Sequence, residues 1–335
     1  MLRDSFLSIL AAFVVLSAIG CDPGASHATS QAPLKEVRIG YFPNFTHAQA
    51  VLGVASGDFQ KAVGPTKVTT KVFNAGPSLI EALFGDQIDI GYVGPGPALS
   101  AFAVSKGEGV RIISGAAANG VVIVARSGSG IEKLSDLAGK RVASPQVGNT
   151  QDIAAKHYVV HELKQPDAKN VIPVANAEQA ATMSRGDVDA SWAPEPWGSF
   201  LVSQAGAKVI GQEKDLWPQK EFAITVVVTS PAFLRAHPDV VEKVLAVHST
   251  WTQRLAGEPE KYLPQLEQAL FALTTKKLPE GVLKSALTNT KFTDDPLPHT
   301  FETFARWSFD LGITRDRTDT RDLIDTKLLR KVQKR

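Results

Sequence analysis

A short apolar strand that breaks at glycine and proline and then opens a helix occurs twice in this chain, and it restricts the fold more than any other feature. In the first copy Ile88, Ile90 and Val93 form the strand, Gly94-Pro95-Gly96-Pro97 breaks it, and Pro97 to Ala103 reads as helix. Proline already has a helical φ, and its missing N–H is no loss in a helix's first turn, so Pro97 suits the helix start. Such a turn leaves backbone N–H groups free at the strand's C-terminal end, where open α/β sheets hold small ligands and anions in particular. One such turn is equally well a plain tight connection. The second copy runs from the helix Ala177–Arg185 through Gly186-Asp187 into Val188-Asp189-Ala190-Ser191-Trp192, then breaks at Ala193-Pro194-Glu195-Pro196-Trp197. The first copy has the same lead-in, from Ser78–Phe84 through Gly85-Asp86-Gln87 into Ile88-Asp89. Two similar units argue for two lobes that close on something between them.

A chain of 335 residues is long enough for two such domains, and 44% apolar with 21% charged residues fits a folded soluble protein. The net charge of +2 gives no electrostatic case for nucleic acid, and the basic run Lys327 to Arg335 reads as a solvated helix end. The N-terminus differs from the rest. Met1 to Asp4 is a short leader, and Phe6 to Ile19 is an apolar run too short to span a bilayer. It ends in the small-residue pattern Ala18-Ile19-Gly20, so residues 1–20 read as an export signal peptide. Cys21, the chain's only cysteine, follows directly and resembles the acylated cysteine of a bacterial lipoprotein. The lipobox departs from pattern, with Ala18 where leucine is usual, and ordinary cleavage to a free periplasmic protein is the alternative. Residues 21–35 are polar and suit a flexible lipid-anchor tether.

Along the mature chain, Val37–Tyr41 and Lys67–Phe73 read as the first two strands, with Phe42–Thr46 the exit loop and His47-Ala48 opening a helix. Val110–Gly115 and Val121–Ala125 are two further strands, split by Ala116 to Gly120. Arg126 to Gly130 is the expected passage to a second lobe, where Lys140–Ser144 is a strand and Thr150 starts a helix reaching Leu163. Phe222–Thr229 is the expected return strand, and the remainder is mostly helical over Pro231–Ala236, Asp239–Ala256, Glu260–Ala272 and Leu297–Leu311. Alternating strands and helices imply α/β sheets with right-handed crossovers.

Seven segments in order carry a family resemblance: Val37–Tyr41; Pro43-Asn44 with His47-Ala48; Glu81-Ala82-Leu83 with Ile88–Gly91; Pro97-Ala98-Leu99; Leu134–Ala143; Gly186–Ala190 with Glu195-Pro196-Trp197; and Ser230–Leu234 with His237-Pro238. The chain resembles the solute-binding proteins of ABC importers, in the nitrate/sulfonate/taurine group (NitT/TauT) with its related thiamine-precursor binders. The resemblance implies a two-lobed periplasmic-binding-protein fold of type II, α/β, with two hinge strands and ligand in the cleft. It places a discontinuous lobe I at 36–125 and 223–335 and lobe II at 126–222. It further implies closure around the ligand, delivery to a permease and an ATPase, and a monomer at the membrane, with no cofactor, catalytic residue or metal. One departure stands out: sulfonate binders commonly carry a hydroxyl residue before Pro-Ala-Leu, where this chain has Pro95 and Gly96.

The candidate ligand-binding residues are Asn44, Gly94, Gly96, Asn119, Gly148, Asn149, Thr150, Glu195 and Trp197. The glycines and Thr150 would offer backbone donors at facing helix N-termini, with Asn149 or Thr150 also a plain helix cap. Asn44 can donate and accept, or only fix its turn. Glu195 suits a ligand amine, or only stabilises a helix start. Trp197 can stack on a ligand or pack a lobe, while His47 reads as packing rather than a metal ligand. Aliphatic sulfonates or taurine-like solutes are the leading ligand class, with a thiamine precursor, other heterocycle or vitamin as the alternative. A same-fold enzyme such as a pyrimidine-precursor synthase is the rival of another class. Motifs for nucleophilic, metal or nucleotide chemistry (Gly-x-Ser-x-Gly, His-Glu-x-x-His, a P-loop) do not occur.

Overall fold

The computed structural model describes residues 34–335, so the signal at 1–20, Cys21 and nearly all of the 21–35 tether lie outside the described residues. In chain order the strands are β1 (Glu36–Tyr41), β2 (Lys67–Val72), β3 (Ile90–Val93), β4 (Arg111–Asn119), β5 (Val121–Ala125), β6 (Val142–Ser144), β7 (Val171–Pro173), β8 (Ala190–Pro194), β9 (Lys208–Gln212), β10 (Ala223–Thr229) and β11 (Thr290–Phe292). They form two sheets, one ordered β11-β4-β10-β3-β1-β2 and the other β7-β6-β8-β5-β9. In the first, β1 pairs in parallel with β2 and β3, and β10 inserts antiparallel between β3 and β4. In the second, β6 pairs in parallel with β7 and β8, and β5 inserts antiparallel between β8 and β9. β3, β5, β8 and β10 are buried along their whole length, as their near-continuous apolar sequences require of central strands.

The sequence repeat returns as a repeated contact. Asp89, just before β3, accepts from the backbone N–H of Arg38 at 2.7 Å and from its Nε and Nη2 at 2.9 and 2.6 Å, while Arg38 Nη1 reaches the carbonyl of Asp86. Asp189, just before β8, accepts from the N–H, Nε and Nη2 of Arg141 at 3.1, 3.2 and 3.0 Å, and Arg141 Nη2 donates to the carbonyl of Gly186 at 2.7 Å. In each lobe one carboxylate pins the neighbouring strand through a bidentate arginine and a backbone N–H. Burial works against ionisation of Asp189, yet Arg141 and Arg126 hold its carboxyl below the usual range.

Two expectations about the crossing require correction. Ala116 to Asn119 do not split two strands; they continue β4, with Ala117 and Ala118 paired to Thr225 and Ala223. Val121–Ala125, placed by sequence with lobe I, pairs wholly within the second sheet. The chain therefore passes between sheets at Asn119-Gly120 rather than at Arg126–Gly130, because both residues take left-handed backbone, φ 61° and 71°, a conformation that asparagine and glycine tolerate best. The helix at Thr150 is also broader in its second half, α-helical over Thr150–His157 and a π turn over Tyr158–Glu162. The helix Val282–Asn289 and strand β11 were not legible in the sequence.

The return passage, residues 213–222, lies against the outward one. Asn119 donates its backbone N–H to the carbonyl of Phe222 at 2.9 Å, and the N–H of Phe222 donates to Asn119 Oδ1 at 3.3 Å. Gly120 N–H donates to the carbonyl of Asn289 at 2.7 Å, and Glu195 N–H donates to the carbonyl of Gly120 at 2.8 Å. Trp217 stacks on Phe222 with centroids 5.0 Å apart and meets Trp307, on the helix Pro298–Asp310, at 4.8 Å. Glu213 is completely buried at the start of this passage. Its carboxylate accepts from the indole N–H groups of Trp192, at 2.6 Å, and Trp217, at 3.3 Å.

Candidate functional site

Three helices begin where the two sheets' units meet: Gly76–Phe84 and Pro95–Val104 from the first, and Thr150–His157 from the second. None has its first turn capped by its N-cap side chain, at Ala75, Gly94 or Asn149. The first N–H groups of a helix have no partner inside it. Their partial positive charge is here gathered from both lobes around one place.

That place is a small cavity, with room for about 20 Å³. From the first lobe it is lined by Phe42, Asn44, Thr46 and His47 of the loop after β1, by Asn74, and by Gly94, Ile224 and Thr225. The second lobe contributes Asn149, Thr150, Gln151, Asn176 and Pro194. Amides and hydroxyls dominate this wall, and it contains no carboxylate, lysine or arginine. His47 adds no charge. Its ring stacks on Phe42 at 4.4 Å, its Nδ1 accepts the Phe42 N–H at 3.3 Å, and burial drives its imidazole down to about 3. A neutral ring whose Nδ1 accepts carries its proton on Nε2, so His47 is a donor.

Of the residues singled out from sequence, Asn44, Gly94, Asn149 and Thr150 line the cavity. The other five lie around it. Gly96 donates its N–H across the lobes to Thr150 Oγ1 at 3.3 Å. Gly148, at φ 78°, donates to Asp152 Oδ2 at 2.8 Å, inside the second lobe. Trp197 donates its indole N–H to Asn44 Oδ1 at 2.8 Å, also across the lobes, and so orients a lining residue. Asn119 belongs to the crossing described above. Glu195 does too: it is fully buried and accepts from the N–H and hydroxyl of Ser199 at 3.0 and 2.9 Å and from Asn289 Nδ2 at 2.7 Å. Burial pushes its carboxyl above the usual range, and those donors work in the opposite direction. Phe45 packs in the core against Phe292, and Trp192 holds Glu213.

Sequence reasoning passed over Asn74, Gln151, Asn176 and Thr225. Asn74 stands before Ala75-Gly76-Pro77, the same kind of break that marked Gly94 and Asn149, and Thr225 is the one polar residue inside the apolar run of β10 before its last position. Those were the available signals.

The lobes meet through glycine. A Cβ at Gly94 would overlap Thr150 Oγ1; one at Gly96 would lie 3.1 Å from Thr150 Cα; one at Gly76 would overlap Pro97 and lie 3.1 Å from Asn149 Oδ1. Among the described residues no group of three His, Cys, Asp or Glu side chains could hold a metal ion, and no helix is long and apolar enough to cross a membrane.

Relatives share this architecture. The chain is 26% identical over 99% of its length to a Bacillus subtilis protein assigned to aliphatic sulfonate binding, covering 97% of that protein. It is 26% identical over 83% of its length to the taurine-binding periplasmic protein of Escherichia coli, covering 80% of it. The alkanesulfonate-binding protein of Xanthomonas axonopodis pv. citri, solved bound to MOPS, superimposes with a TM-score of 0.74 at 21% identity, over 88% of this chain and 99% of that one. These named relatives are binding proteins, not enzymes, and the fold is the two-lobed periplasmic-binding-protein fold that the sequence implied. The NMT1-like family pattern matches residues 30–262, and the chain belongs to that family.

Proposed function

We propose that this chain is the solute-binding component of an ABC importer and that it captures a small sulfonate-type anion in the cavity between its lobes. The observation that carries this reading is the meeting of helix N-termini from both lobes at one wall of neutral polar groups. An anion there is met by backbone dipoles and N–H groups from both lobes, so it favours the closed state over the open one. The relatives named for sulfonates and taurine support the same class. Asn44, Asn149 and Thr150, with the backbone at Gly94, are proposed to touch the ligand. Trp197, Gly96, Gly148, Asn119 and Glu195 are proposed to position those groups and the crossing. A heterocycle such as a thiamine precursor is the second reading, favoured by Phe42 and His47 in the wall.

A thermal-shift titration of the purified protein with ethanesulfonate, nitrate and pyrimidines tests this. A ligand held only by the folded state adds about 2.7 kcal/mol at a hundredfold excess over Kd. Stabilisation by ethanesulfonate is the expected result, and stabilisation by a pyrimidine alone would transfer the assignment to the second reading.

Residues 1–20 are proposed to export the chain and Cys21 to anchor it by lipid on the periplasmic or cell-surface side, where a monomer would deliver solute to a permease and ATPase. Cys21→Ser should move the protein from the membrane fraction to the soluble one. An unchanged distribution argues for ordinary cleavage.

A further inference from the structure

We infer that the cleft selects anions carrying no ammonium group, and that Thr225 binds a polar atom on the ligand's tail; the inference rests on the sulfonate reading above and narrows it. The first observation is the character of the wall. Its polar groups are the amides of Asn44, Asn74, Asn149, Gln151 and Asn176, the hydroxyls of threonines, and a neutral imidazole. An ammonium enclosed there finds amide oxygens but no carboxylate. Of those oxygens, Asn44 Oδ1 already accepts from Trp197.

The nearby carboxylates are engaged elsewhere. Asp152 accepts from Gly148 N–H, from Ser144 Oγ at 3.1 Å and from Lys156 Nζ at 2.8 Å. Glu195 is surrounded by Ser199 and Asn289. Taking a cation out of water without an opposing charge is costly, whereas the ligand's single negative charge meets helix N-termini from both lobes. The wall therefore treats the two ends of a zwitterion unequally.

The second observation is independent of charge. Thr225 lines the cavity, is fully buried, and its hydroxyl has no hydrogen-bond partner among the described residues. It sits between two register shifts of the β10–β4 pairing, at Ala223/Thr225 and Thr225/Val226. Such irregularities re-aim a side chain out of the regular pleat. A buried hydroxyl without a partner is destabilising unless something supplies one, and the ligand is the group that enters this cavity. A hydroxyl both donates and accepts, so it suits a ligand hydroxyl in particular.

Three sulfonates of nearly equal size separate the possibilities: ethanesulfonate, 2-hydroxyethanesulfonate and 2-aminoethanesulfonate, titrated calorimetrically into the full protein at neutral pH. The hydroxy compound is expected to bind tightest and the amino compound at least roughly 30-fold weaker. Thr225→Val should weaken the hydroxy compound by about tenfold and leave ethanesulfonate within roughly threefold. Equal or tighter binding of the amino compound overturns the selectivity while leaving the sulfonate reading intact. An equal loss for both compounds in Thr225→Val overturns the role of its hydroxyl. Binding of none of the three, with nitrate or a pyrimidine bound instead, overturns the sulfonate reading and this inference together.

Discussion

Gly94→Val should weaken ethanesulfonate binding by at least about a hundredfold, close to 2.7 kcal/mol, with little change in the stability of the empty protein. Gly94 has φ −72° and ψ 156°, an extended conformation open to any residue, so the substitution strains no backbone. Its neighbour is what forbids a side chain. A Cβ there would overlap Thr150 Oγ1, which belongs to the facing lobe and already accepts the Gly96 N–H. Within its own lobe the nearest atom to that Cβ is the Ile224 carbonyl oxygen at 3.5 Å, an ordinary contact, so the obstacle to a Cβ lies in the facing lobe. Calorimetric titration and urea unfolding of the same variant test the two halves of the statement. Affinity within threefold of the parent would show that the lobes do not close along this seam. Shortening the facing residue, in Gly94→Val with Thr150→Gly, should restore part of the loss.

The second large effect is a pH dependence centred on Glu213. Burial raises its carboxyl to about 7, with the indole N–H groups of Trp192 and Trp217 pulling the other way. Between the ordinary glutamate value of 4.5 and 7 the folded protein binds a proton that the unfolded chain has lost. Stability from this group is therefore full below 4.5 and declines as pH rises through 7. Two to three pKa units correspond to roughly 3 kcal/mol. His47 slopes the opposite way. Its folded value near 3 lies below the ordinary 6.5, so its contribution is full above 6.5 and is lost as pH falls toward 3. The two overlap between 4.5 and 6.5, and the parent's own curve mixes them. The difference between parent and Glu213→Gln isolates the first. Urea unfolding should show that difference falling by about 2 to 3 kcal/mol from pH 5 to pH 8. A difference that stays flat across that range would mean Glu213 is ionised throughout.

The fold was legible because its unit is repeated in local sequence. Gly85-Asp86 before Asp89 and Gly186-Asp187 before Asp189 announce the same turn, and the structure gives each aspartate the same arginine clamp. Hydrophobic runs such as Phe222–Thr229 marked buried strands. What misled was the alanine stretch before Asn119, which carries no β-branched signal and owes its strand conformation to pairing with β10 and β11. The lining of the cavity was legible in part for a related reason. Breaks with glycine, proline or asparagine show where helices start, and so pointed to Gly94, Asn149 and Thr150. They do not show which polar side chain the tertiary structure turns inward. Glu195 and Asn119 look like ligand groups in sequence, but Asn289 and Phe222, both far along the chain, draw them into the crossing. Thr225 is the converse: it lies inside an apolar strand run, yet it lines the cavity, beside two shifts of the β10–β4 register.

The glycine seam has a consequence for how solute identity is reported. At this seam the backbone of Gly94 and Gly96 lies directly against Thr150, with no side chain of their own between the lobes. If the lobes close on solute as proposed, a molecule that fits would let this seam meet, and one too large would hold it open. Solute size would then be expressed in the spacing of the lobes, which a partner resting on both could read without touching the solute.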